Sequence, residues 1–135
     1  MKELNFKEVQ KVNEELQRID PAYMSSSPQL ASQTIIWCST QRAYTAEQMA
    51  IAKKDWQEAK RRAYETFIVS NEANQQRVEK YGVMVVKDYI GAKCGDFEAR
   101  YEYIDRTHAA LESMVKSLMM VISSLKEEMK FNNAA

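Results

Sequence analysis

The last third of the chain carries apolar residues in two columns, each repeating every seven residues. The columns are Phe97, Ile104, Leu111, Leu118 and Leu125, and, four residues after each, Tyr101, His108, Val115, Ile122 and Met129. A sustained period of 3.5 residues is typical of a helix that packs against another helix in a coiled-coil manner. The pattern leaves open whether the seam forms within one chain or between chains. We assign oligomerisation to Ile104, His108, Leu111, Val115, Leu118, Ile122 and Leu125.

The rest of the chain also favours helices, because three glycines and two prolines leave few places to turn. Ser27-Pro28 is a favourable start for a long helix, with serine as the cap and proline in the first turn. The short apolar run Val83–Val86 fits a strand or a helix, and we favour helix because no partner strand is evident. Gly91 and Gly95 suggest a kink or loop, after which Asp96 caps the final helix.

These patterns predict one all-α domain over residues 1–135. We expect an elongated hairpin of two long helices with short flanking helices, a C-terminal coiled-coil-like seam and an oligomeric assembly. The predicted segments are an N-terminal helix at 1–20, a linker at 21–27, a long basic helix at 28–69, a connecting segment at 70–95 with a polar turn at 70–76, a heptad helix at 96–131 and a tail at 132–135.

Composition narrows the class of protein. The 135 residues carry 19 basic and 19 acidic side chains, so a nucleic-acid-binding role needs a local basic patch. Two cysteines and no apolar signal-peptide core fit a reducing cytoplasm. The apolar runs are too short to span a bilayer, and we expect no membrane partner.

The strongest chemical signal lies between Lys53 and Arg62, where five basic residues face two acidic ones within ten positions. Cationic groups for phosphates and flat rings for stacking are what single-strand binding uses. The competing interpretation, which composition alone favours, is a solvated face with internal ion pairs such as Glu58 with Arg62. The candidate nucleic-acid-binding residues are Lys53, Lys54, Lys60, Arg61, Arg62 and Tyr64, and weaker candidates are Arg42, Lys87 and Lys93.

Catalytic and metal chemistry have little support in the sequence. His108 is the only histidine, and Cys38 and Cys94 are not at ligand spacing. No nucleophile completes a catalytic set around His108, and residues 91–95 lack the ending of a phosphate-binding loop. We therefore predict no enzyme activity, no catalytic residues, no metal and no cofactor.

The order of these parts resembles a known family. A long helix carries Lys60-Arg61-Arg62, a short segment holds residues 85–90 (Val-Val-Lys-Asp-Tyr-Ile), and a heptad helix ends in residues 125–130 (Leu-Lys-Glu-Glu-Met-Lys). This layout, over roughly residues 42–131, is similar to that of the small phage recombination mediator proteins of the UvsY type. The likeness is one of layout and charge placement, without an invariant motif.

The resemblance implies a helical homo-oligomer that acts in the bacterial host cytoplasm. Such a protein binds single-stranded DNA and helps to load a recombinase onto strands covered by single-strand-binding protein. The family's DNA-contacting Lys-x-Arg matches Lys60 and Arg62, and its assembly helix matches residues 96–131. Two departures are the neutral net charge and the N-terminal helix with its serine-rich linker, which has no clear counterpart.

Two further hypotheses remain open at the level of sequence. The same helices could form a protein-interaction module, such as a small phage inhibitor of a host or defence protein, with no DNA binding. They could also form a purely structural coiled-coil component without a ligand. A charge swap at Lys60 and Arg62 separates the first of these from a DNA-binding mediator.

Overall fold

The computed structural model describes residues 2–69 and 71–134, and every regular element in that part of the chain is helical. The helices are α1 (Phe6–Gln17), α2 (Pro28–Tyr64), α3 (Glu72–Tyr81) and α4 (Met84–Ala134), with a 3₁₀ turn at Pro21–Met24 and a π-helical turn at Glu65–Val69. The predicted all-helical class with two long helices is confirmed. In the run Val83–Val86, Val83 lies in a turn and the other three residues begin α4, so the run is not a strand.

Side-chain caps explain where three of the helices begin. The Asn5 side chain accepts a hydrogen bond from the Glu8 amide at 3.2 Å, so α1 starts later than the predicted N-terminal helix. The Ser27 hydroxyl accepts from the Leu30 amide at 3.3 Å, and Pro28 occupies the first position of α2 as expected. Asn71 caps α3 in the same way, by accepting from the Asn74 amide at 3.2 Å. Each cap satisfies an amide that the helix cannot pair internally.

The connecting segment differs from the prediction. Residues 72–76, expected in a polar turn, belong to α3, and α4 begins at Met84 rather than at Asp96. Ser70, the first residue of that predicted turn, lies outside the described residues. A loop at residues 91–95, one of the two predicted possibilities, is therefore wrong, because Gly91 and Gly95 lie inside α4. The predicted tail is also helical as far as Ala134.

The chain turns at Gly82 instead. Its φ of +87° and ψ of −178° form a conformation that is essentially restricted to glycine. Its amide still donates to the Val78 carbonyl at 2.7 Å and so closes the last turn of α3. A glycine inside a helix costs only about 0.5–1 kcal/mol, a penalty that buried side chains such as Val86 and Cys94 offset in α4.

The chain is divided into two compact units. One unit, called the 49–103 unit below, holds Met49–Tyr103 together with residues 2–4. Within it Trp56 packs against Tyr101 with ring centroids 5.8 Å apart, and Phe67 stacks on Tyr89 at 4.3 Å. These aromatic pairs fix α2, the π-helical turn and α4 against each other inside this unit.

The other unit, called the core unit below, holds Asn5–Gln48 and residues 104–134. Two clusters of buried side chains lie in it: Val12, Leu16, Cys38, Leu111 and Val115 form one, and Met24, Ala31 and Leu118 form the other. The backbone amide of Asn5 donates to the buried Gln48 side chain at 2.8 Å, which ties the start of α1 to α2. Within this unit α1, α2 and α4 therefore share one apolar interior.

Within residues 2–69 and 71–134, no helix is long and apolar enough to cross a bilayer.

Candidate nucleic-acid interface

The six predicted DNA-binding residues all lie on the second half of α2, but they do not form one surface. Successive residues of an α-helix are rotated by about 100°. Lys53, Gln57, Lys60 and Tyr64 are spaced by four, three and four residues, so they line one side of the helix. We call these four residues the lysine stripe. Lys53 and Tyr64 are exposed, whereas Lys60 is half-buried.

An aromatic support lies beside the lysine stripe. The Lys60 ammonium lies 4.1 Å from the centre of the Trp56 ring, within the range of a cation–π contact. Trp56 is half-buried and in turn contacts Tyr101. Lys60 is therefore held over a ring, while Tyr64 offers an exposed ring one turn further along the helix.

Arg61 and Arg62 form a second surface, on which both are paired with carboxylates. Arg61 binds Glu58 through two nitrogens and Glu65 at 2.6 Å, and the Arg62 Nε lies 3.2 Å from Glu58. The hydrogen bond from Arg61 holds the pKa of the Glu58 carboxyl below its ordinary value. Together these two arginines and two glutamates carry no net charge. The ion pair between Glu58 and Arg62, which the solvated-face interpretation predicts, is present. Lys54 is exposed on the same side of the helix.

A groove of about 410 Å³ lies between α2 and α4 in the 49–103 unit. Its lining residues are Asp55, Glu58, Ala59, Arg62, Ala63, Lys93, Cys94 and Phe97. Lys93, a weak candidate from the sequence, thus lies with Arg62 at one site. The sequence connects Phe97 only to the heptad repeat, because no local signal relates it to the basic helix. The small side chains Ala59 and Ala63, one turn apart, are what leaves the space open.

The oligomerisation residues divide into a buried and a partly exposed group. Ile104, Leu111 and Leu118 are fully buried and Val115 is 7% exposed within the single chain, whereas His108, Ile122 and Leu125 are half-buried. The Nδ1 atom of His108 lies 2.9 Å from the hydroxyl of Thr45, which is itself buried. The part of the heptad repeat from Ile104 to Leu118 therefore packs inside the chain. Assembly through the stripe stays a prediction.

The remaining candidate groups lie elsewhere. Arg42 pairs with Glu112 in the core unit at 4.0 Å, and Lys87 is exposed. Cys38 and Cys94 are both free thiols in buried positions, and burial raises the pKa of Cys38. Among the described residues, no group of three or more His, Cys, Asp or Glu side chains could hold a metal ion.

Comparison with protein families, with curated proteins and with solved structures found no match in any of the three. The similarity to the UvsY-type mediators therefore remains a resemblance of layout.

Proposed function

We propose that this chain is a non-enzymatic mediator that binds single-stranded DNA through the lysine stripe and acts as a homo-oligomer. The observation that carries the proposal is the stripe itself, in which two lysines and an exposed tyrosine share one side of α2. None of its four residues is acidic. Arg61 is assigned a role within the helix, because its guanidinium is already bound by two carboxylates.

The spacing of the stripe suits a single strand. Lys53 and Tyr64 are eleven residues apart, which corresponds to about 16 Å along a helix rising about 1.5 Å per residue. This length accommodates a few nucleotides, with Lys53 and Lys60 at phosphates and Tyr64 stacked on a base. If each of these two lysines neutralises one phosphate, the slope of log K against log salt is about −1.4 per chain.

The DNA-binding proposal is tested by fluorescence anisotropy with a labelled oligonucleotide at about 50 and 200 mM salt. The variant is Lys53→Glu/Lys60→Glu. The matched control is Lys7→Glu/Lys11→Glu, which makes the same charge change at exposed positions of α1. We expect salt-sensitive binding that the stripe variant loses and the control keeps. If both variants lose binding equally, the loss comes from the change in net charge and not from the stripe. If the wild type does not bind at low salt, the proposal is refuted.

Assembly is the second part of the proposal. We infer an elongated helical hairpin whose subunits associate through a coiled-coil-like seam at the end of α4. The apolar repeat supports this, because it continues past the buried Leu118 through the half-buried Ile122 and Leu125 to Met129, which is 59% exposed. Several weak stripes in one assembly raise the effective concentration, and so a neutral chain can hold an anionic strand.

The proposed role in the cell follows the UvsY-type mediators. The oligomer would help to load a recombinase onto strands covered by single-strand-binding protein in the cytoplasm of a bacterial host. A partner recombinase is tested by its assembly rate on covered DNA with and without this protein. The stripe variant should lose any acceleration that the wild-type protein gives.

A protein-binding module without DNA binding is the second candidate, and one observation favours it. Exposed apolar side chains of the core unit include Tyr23 at 81%, Ile36 at 67% and Leu30 at 45%. Leu30 and Trp37 also line a groove of about 320 Å³. Exposed apolar surface of this kind suits a protein partner. In this case the Lys53→Glu/Lys60→Glu variant should bind that partner as the wild type does.

A further inference from the structure

The groove between α2 and α4 combines an apolar floor with cations that come from both helices. Ala59, Ala63 and Phe97 supply the apolar surface, and Arg62 and Lys93 supply charge from α2 and α4 respectively. A third cation, the Arg100 guanidinium, lies 6.0 Å from the centre of the Phe97 ring. The lysine stripe, by contrast, has all its charges on one helix.

The position of each rim cation is supported by neighbouring groups. The Lys93 ammonium lies 5.8 Å from the Tyr89 ring, which stacks on the buried Phe67. The Arg62 side chain is 74% exposed and makes its contact with Glu58 through Nε alone. The terminal nitrogens of Arg62 thus extend beyond this contact, and an arginine presents up to five donors. A phosphate at the groove mouth would meet cations from two sides.

The volume of the groove is in the range of small-molecule sites, which are about 300–1,000 Å³. We propose that the groove receives one nucleotide of the bound single strand, with the base against Phe97 and the phosphate between Arg62 and Lys93. This proposal rests on the proposed DNA binding and adds a second contact to the lysine stripe. The lining also holds Asp55 and Glu58, and Glu58 is bound by Arg61 and Arg62. The Lys93 ammonium and the terminal nitrogens of Arg62 are the cationic groups at the mouth, and their charge complementarity to a phosphate argues for a nucleotide as the occupant.

The acidic residues of the groove give the site a base preference. Glu58 already accepts hydrogen bonds from Arg61 and Arg62, whereas Asp55 is exposed at the groove and has an oxygen acceptor to offer. A carboxylate accepts from the exocyclic amino group of cytosine, and thymine has a carbonyl oxygen at that position. The wild type should therefore bind oligo-dC more tightly than oligo-dT, by about two- to tenfold, the value of one net hydrogen bond.

The experiment measures anisotropy of labelled oligo-dC and oligo-dT with three groove variants of the full chain. Ala59→Leu fills the floor, Lys93→Gln removes a rim charge and Asp55→Ala removes the proposed acceptor. Ala99→Leu is the control for Ala59→Leu, because it adds the same atoms at an exposed position of α4. Circular dichroism verifies that each variant is helical. If Ala59→Leu is unfolded, the exposed Lys93→Gln variant decides the result.

We expect Ala59→Leu to weaken binding about tenfold, as the loss of one stacked base would. Lys93→Gln should make the salt slope shallower by about 0.7. Asp55→Ala should bring the ratio of oligo-dC to oligo-dT affinity close to one. Wild-type affinity in Ala59→Leu and an unchanged salt slope in Lys93→Gln would overturn the groove while leaving the lysine stripe in place. Failure of the wild type to bind either oligonucleotide would overturn both proposals.

Discussion

Replacing Leu118 with alanine tests the apolar interior of the core unit. The Leu118 side chain is fully buried among Met24, Ala31, Ile35 and Met114. Removing three carbons costs about 2.4 kcal/mol in transfer free energy, at about 0.8 kcal/mol per carbon. The cavity adds to this, and measured leucine-to-alanine changes span about 2–5 kcal/mol. Because two of the neighbours are flexible methionines that can move into the space, we expect a loss of about 2–3.5 kcal/mol.

The assay is urea unfolding followed by circular dichroism at several protein concentrations. Met120→Ala is the control, since Met120 is on the same helix and 71% exposed, and its change should stay within about 0.5 kcal/mol. If Leu118 packs inside one chain, the loss of unfolding free energy does not change when the protein is diluted. If Leu118 lies between subunits, that loss grows on dilution. A loss below about 1 kcal/mol, or one that depends on concentration, would refute the proposed packing of Leu118.

Three further predictions concern single contacts. Thr45→Val should destabilise the protein by about 1–3 kcal/mol in urea unfolding, because it removes the hydroxyl that contacts His108; the exposed Thr40→Val is the control, and equal effects would contradict the assignment. The hydrogen bond from Arg61 lowers the pKa of Glu58 in the folded state. The Arg61–Glu58 contact therefore stabilises the fold above the ordinary pKa of 4.5, and this stabilisation is lost as the pH falls through the folded pKa. The urea midpoints of wild type and Arg61→Ala should thus differ at neutral pH and converge in acid, and a constant difference would exclude this linkage. Leu125→Asp should lower the mass seen by sedimentation while the chain stays helical, and an unchanged mass would remove the seam at this position.

Local patterns predicted the helices because they depend on neighbouring residues. Ser27-Pro28 marks the start of α2 through its own hydroxyl and its own ring, and the seven-residue repeat needs only the helix that carries it. Such local patterns do not show at which glycine the chain turns. Gly82 and Gly91 are equally permissive as residues, and the contacts of the surrounding helices decide which one adopts a positive φ.

The candidate site was predicted only in its charged part. The sequence identified the basic half of α2, but the carboxylates that neutralise Arg61 and Arg62 became visible only with their distances. Phe97 is 34 residues beyond Ala63 along the chain, so only the packing of α4 on α2 shows that they share a groove. The same holds for Thr45 and His108, which are 63 positions apart and meet through tertiary contacts.

The discontinuity of the core unit sets an order for events during synthesis. Residues 5–48 leave the ribosome before residues 104–118, yet Cys38 packs in one cluster with Leu111, and Ala31 packs in another with Leu118. The residues of the other unit, 2–4 and Met49–Tyr103, are by contrast all made before residue 104. The N-terminal helices must therefore wait with their apolar faces uncovered until residues 104–118 emerge, and nascent chains stalled before Ile104 should be the ones that engage chaperones.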